Sequence, residues 1–200
     1  EFVPMPISER DPGETKVARL PLSAFRAELG DTKLRMLFDY WLGLNQADRL
    51  PPRKAIDPAA IMPILPDLYI LERLADNGLR FRLVGTAVRD LFRHDVTGKR
   101  LDEALDGEYY RNAVRCYRLV NATRTPWLTR IVYDLGQGDR FTYRRLVCPL
   151  SADGEQPDSY VGAFETTDIY SPARLFIEVE HMVTAILERR EAVLEAGWLG

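Results

Sequence analysis

Apolar positions first recur with a helical period after Gly30. Leu34, Leu37, Phe38 and Trp41 stand at i, i+3, i+4 and i+7, which predicts an amphipathic helix capped by Asp31 or Thr32. A shorter helix is predicted from Ser23 to Leu29, closed by Gly30. Ahead of it, residues 1–17 hold Pro4, Pro6, Pro12 and Gly13 among charges without periodicity, and read as a mobile arm. Beyond Leu50-Pro51-Pro52, Asp57-Pro58 supplies an N-cap and a proline at the first helical position for a short helix to about Leu65.

The period then shortens to two. Leu68–Leu74 and Leu79–Val84 flank Asp76-Asn77-Gly78, whose Asn-Gly pair accepts the positive φ of a tight hairpin turn. Short helical pieces follow around Val88–Phe92 and Asp102–Leu105, and a longer helix is predicted from about Tyr109 to Asn121. Its Tyr110, Ala113, Val114, Tyr117 and Val120 share one face, with Arg111, Arg115 and Arg118 on the other. Three sequential antiparallel strands come next, at about Trp127–Leu135, Arg140–Leu150 and Asp158–Thr167. Ser171-Pro172 opens a last predicted helix with Leu175, Val179, Met182 and Ile186 on one stripe and Val193 later in register. The fold class is therefore α+β: an antiparallel sheet with a helical insertion, flanked by N- and C-terminal helices. Residues 1–30 form an arm and short helix, 31–168 the domain with its leading helices, and 169–200 the C-terminal helix.

This element order resembles a PAS domain with its five-stranded sheet. Phe81-Arg82-Leu83-Val84-Gly85-Thr86 running into Ala87–Phe92 is similar to the second PAS strand entering its first short helix. Asp95-Val96-Thr97-Gly98-Lys99-Arg100-Leu101 resembles the glycine, basic, leucine turn that follows. The runs DYW at Asp39–Trp41, IDPAAI at Ile56–Ile61 and LPDLYILE at Leu65–Glu72 resemble the PAS-only proteins of alphaproteobacteria. The resemblance spans about Leu34 to Thr167 and departs in one place: Gly85-Thr86 stands where many PAS domains carry Asn. It implies a sensory or interaction module with a small ligand between the sheet and its helices, or a protein partner, and a dimer made through flanking helices.

Cofactor chemistry narrows little further. A flavin photoreceptor of the LOV type needs a reactive cysteine between the second and third strands, and residues 79–108 contain none. The helix at 109–121 has no histidine for haem, although Cys116 lies on it and is a potential thiolate ligand. The cofactor is thus unknown. His181 lacks the flanking residues of a kinase phosphoacceptor, and His94 reads as a loop histidine. Arg111, Arg115, Arg118, Arg124, Arg130, Arg140, Arg144 and Arg145 form a possible anion patch, with solvated faces as the simpler reading. No catalytic motif with a nucleophile, base and orienting acid is present, so a non-enzymatic protein is expected.

Composition adds boundaries. The 200 residues carry a formal net charge of −3, which gives no field toward nucleic acid, so no DNA partner is expected. Two cysteines and no long apolar or signal-type segment suggest a cytoplasmic protein without a membrane partner or a metal site. The candidate ligand residues are Leu83, Val84, Tyr110, Val114, Tyr117, Ile131 and Tyr133, expected to converge beneath the sheet. Leu34, Phe38, Trp41, Leu175, Val179, Met182 and Ile186 are the candidate homodimer interface. The expected function is a sensory or regulatory module whose output passes through a partner. A ligand-free adaptor and an unrecognised enzyme are the alternatives.

Overall fold

The computed structural model describes residues 14–45, 49–92, 94–105, 107–136, 139–167 and 190–198. These form strands β1 (Glu14–Leu20), β2 (Leu68–Arg73), β3 (Leu79–Val84), β4 (Trp127–Gly136), β5 (Asp139–Leu150), β6 (Ser159–Thr167) and β7 (Arg190–Trp198). Helices are α1 (Leu22–Leu29), α2 (Lys33–Leu44), α3 (Thr86–Phe92), α4 (Leu101–Ala104) and α5 (Gly107–Thr123), with 3-10 turns at Arg53–Ala55 and Pro58–Asp67. One sheet contains all seven strands in the order β1-β7-β4-β5-β6-β2-β3. Every pairing is antiparallel except β1 with β7.

The five expected strands are therefore extended by two. Residues 14–17, read as part of a mobile arm, belong to β1. Val193, read as continuing the last helix, lies in β7 opposite Ile131 of β4 and Thr15 of β1. Leu175, Val179, Met182, Ile186 and His181 lie outside the described residues.

Local signals explain most of the remaining elements. Asp57 Oδ1 accepts from the Ala59 amide at 2.9 Å, as an N-cap does, but Pro63 and Pro66 keep the segment a 3-10 stretch. The β2–β3 turn closes with the Leu74 amide on the Gly78 carbonyl, and Asn77 takes φ 64°. At β3 the Gly98 amide donates to the Phe81 carbonyl and the Phe81 amide to the Lys99 carbonyl, which covers the outer edge of that strand.

Alternation along the strands divides the core in two. On one face, here the outer face, α1, α2 and the 58–67 turns cover Leu68, Leu128, Leu146, Cys148, Leu150, Val161 and Ala163. Leu34, Leu37, Phe38 and Trp41 are fully buried there, and the Trp41 Nε1 donates to the Pro149 carbonyl at 2.7 Å. On the inner face, α3 to α5 cover Tyr69, Leu71, Phe81, Trp127, Val147, Tyr160 and Phe164.

Candidate functional site

The inner face is where this chain buries its polar chemistry. On α5, Ala113, Cys116, Tyr117 and Val120 point to the sheet while Arg111 and Arg118 stay exposed, which follows from the helical period of the segment. On β5, Tyr143, Arg145 and Val147 alternate toward α5, whereas Arg144 and Leu146 face the outer side. Tyr69 arrives from β2. A Cβ at Gly162 of β6 would strike its ring, so that glycine makes the room Tyr69 occupies.

These side chains meet closely. The Tyr117 hydroxyl donates to that of Tyr69 at 3.2 Å, and the Arg145 Cζ lies 6.0 Å from the Tyr117 ring centroid. The Tyr160 hydroxyl donates to Asn121 Oδ1 at 2.6 Å, and its ring meets Tyr117 edge-on with centroids 4.9 Å apart. Tyr143 stacks with Phe164 at 6.1 Å. Thr129 stands directly opposite Arg145 on β4. Two buried atoms in this group, Arg145 Nε and Thr129 Oγ1, have no hydrogen-bond partner.

Burial raises the Tyr69, Tyr117 and Tyr143 phenols above their ordinary value, and the nearby Arg145 guanidinium offsets this only partly. All three are accordingly neutral at pH 7. For Arg145, burial opposes the charge, but Cys116 and the three phenols, which turn negative only at high pH, leave it more firmly protonated than usual. Burial likewise raises the Cys148 thiol on the outer face.

Of the candidate ligand residues, Tyr117 is buried in the inner core, Ile131 is buried opposite Tyr143 on the same sheet face, and Val84, Tyr110 and Val114 pack half-buried against that core. Tyr133 lies in β4 opposite Phe141, with its side chain outside the described residues. Leu83 stands elsewhere. A register shift between Ile70 and Leu71 sets it opposite Ile70, and it is 40% exposed on a groove of about 300 Å³ on the outer side. Leu34, Phe38 and Trp41 pack on the sheet of their own chain. Sequence reasoning left Tyr69 inside an apolar run and Arg145 in a surface patch. Their signal was the strand period, which puts Arg145 in phase with Tyr143 and Val147.

Among the described residues no group of three or more His, Cys, Asp or Glu side chains is arranged to hold a metal, and no helix is long and apolar enough to cross a membrane. His94 is exposed beside Asp95, whose carboxyl is held below its ordinary value by hydrogen bonds from Thr97.

A sheet bounded by β2-β3 hairpin, helical insertion and β4-β5-β6 meander, with a polar cluster under the connecting helix, defines a PAS-type module. The chain belongs to the PAS domain family, whose model matches residues 30–165; this family is generally sensory. Among solved structures, the LOV protein of Rhodobacter sphaeroides aligns with TM-score 0.40 and 11% identity over 63% of this chain and 77% of that one. The PAS domain of Bordetella pertussis BvgS aligns with TM-score 0.39 and 16% identity over 74% and 97%. No curated protein matches the chain.

Proposed function

We propose that this protein is a sensory module that takes a small molecule between the inner sheet face and α5 and passes its presence to a protein partner. The observation that carries this reading is the polar set withdrawn from water there. Four phenols, a guanidinium, a thiol and the Thr129 hydroxyl are gathered on one face, with Arg145 Nε and Thr129 Oγ1 left unpaired. An unpaired buried polar group costs about 1–3 kcal/mol, a cost that a core built only for packing avoids.

The route outward also starts at α5. At its C-terminal end, the Thr123 hydroxyl accepts from Trp127 Nε1 at 2.7 Å. The Trp127 indole lies against Gly197 of β7, where a Cβ would come within 2.5 Å of the ring. A shift of α5 upon ligand binding is thereby felt by β7 and by its neighbour β1, the edge strand at that end of the sheet. A homodimer is part of the proposal, although the Leu34-Phe38-Trp41 stripe of α2 is occupied by its own sheet.

A second reading, an adaptor whose inner face is filled by its own side chains, is favoured by the close Tyr117–Tyr160 and Tyr143–Phe164 packing. Native mass spectrometry of the purified protein, followed by denaturation to release anything held, separates the two. The sensor reading expects a stoichiometric small molecule. A protein that is empty, and stays empty after incubation with a cell metabolite extract, supports the adaptor.

A further inference from the structure

The groove of about 300 Å³ that Leu83 lines has an apolar floor and a cationic margin. Ile56, Ile61, Leu65, Ile70 and Val161 form the floor, and Arg53 and Arg82, each about half exposed, complete the lining. The irregularity in β3 accounts for part of this. Ile70 pairs with Leu83 and Leu71 with Phe81, so Arg82 is the extra residue. A bulge re-aims side chains, and here the successive residues Arg82 and Leu83 both line the groove.

One carboxylate at this margin serves three guanidinium groups. Glu72 faces Arg80 across the hairpin, whose Nε donates to its Oε1 at 2.7 Å. Arg53 and Arg82 lie 3.6 and 3.3 Å from its Oε2 and make no hydrogen bond among the described residues. A guanidinium offers a fork of N–H donors that fits a carboxylate, and these two forks are left for other acceptors. The other carboxylates of the surrounding segments are engaged elsewhere: Asp67 with Lys33, Asp57 with the Ala59 amide and Asp158 with the Ala152 amide. The sheet positions beside the groove, 79–84 on β3 and 159–163 on β6, are all described and add no acidic residue.

We propose that this groove seats an acidic amphipathic helix of a partner protein, its apolar stripe on Ile70 and Leu83 and its carboxylates on Arg53 and Arg82. This rests on the protein partner of the reading above and names the surface that receives it. The unused guanidinium donors select an acidic occupant. The groove is open, with Leu83 40% exposed, and so does not enclose a small molecule. Strand addition is closed off at Phe81, whose amide and carbonyl are taken by Lys99 and Gly98, which leaves docking through the side chains of a helix.

The test is fluorescence anisotropy of the full chain with labelled helical peptides of equal length. One repeats leucine and glutamate at helical spacing, the second has glutamine for each glutamate, and the third has serine for each leucine. The first is expected to bind about tenfold tighter than either of the others. Its affinity should fall about tenfold in the double variant Arg53→Gln/Arg82→Gln and in Leu83→Ser, and hold in Arg111→Gln, at an exposed position of α5. No binding of the first peptide, equal binding of the glutamine or serine peptide, or an affinity unchanged by the groove variants overturns the proposal. A dimer of the chain that dissociates in Leu83→Ser assigns the groove to a second copy and overturns it as well. If a groove variant does not fold, the comparison of the three peptides on the unaltered chain decides alone. A small molecule released in native mass spectrometry beside a failed peptide test leaves the sensor standing without this surface.

Discussion

Gly85 sits so close to the carbonyl oxygens of Leu65 and Pro66 that any Cβ there would overlap them, and its amide donates to the Leu68 carbonyl at 2.7 Å. The asparagine that many PAS domains carry after the second strand therefore has no room at position 85. Gly85→Asn is expected to cost about 1–3 kcal/mol, read as a lower urea midpoint at unchanged slope. The tyrosines make a second residue-scale prediction. A phenol whose pKa is raised in the folded protein lends stability below its unfolded value, near pH 10, and loses it as pH climbs toward the folded value. Stability should hold level up to about pH 10 and fall above it, and the phenolate absorbance of Tyr69, Tyr117 and Tyr143 should appear only with unfolding. Phenolate signal from all nine tyrosines in the folded protein would contradict this. At this scale Arg145 was hidden in the sequence by its neighbour. Two adjacent arginines on a strand read as one basic patch, yet the pleat sends Arg144 outward and Arg145 inward.

Among the elements, α2 was legible because its apolar positions repeat at one period and pack against one surface. Trp41→Phe removes the donor to the Pro149 carbonyl and leaves a void beside Trp198, whose ring lies 6.2 Å from that of Trp41. A loss of about 1–3 kcal/mol is expected in chemical denaturation. Met36→Ser, at a position 47% exposed on the same helix, should change stability by no more than about 0.5 kcal/mol. Strand β7 was not legible for the converse reason. Its segment REAVLEAGW mixes helix formers with a spacing that continues a helical register. What makes it a strand is pairing on both sides, with β1 at the far end of the chain and with β4, and no local pattern encodes partners so distant in sequence. Strand β1 was masked in the same way, its short run following a proline- and glycine-bearing stretch.

For the molecule as a whole, two cores share one sheet and do different work. The outer core holds α1 and α2 with apolar side chains, while the inner core gathers phenols, a thiol and a guanidinium beneath α5. The hairpin, insertion and meander that define the PAS domain were readable from turn residues and period changes. The site was readable only in part, because Tyr117 announces itself on a helix face while Tyr69 and Arg145 depend on register. The central claim, that the inner face senses and α5 responds, is tested most directly by amide hydrogen exchange. The protein as purified is compared with protein unfolded, dialysed and refolded to strip any small molecule. The account predicts faster exchange in Gly107–Thr123 and along Trp127–Gly136 and Asp139–Leu150 of the stripped protein, with Lys33–Leu44 unchanged. Identical exchange in the two samples, or a change confined to Lys33–Leu44, would contradict it.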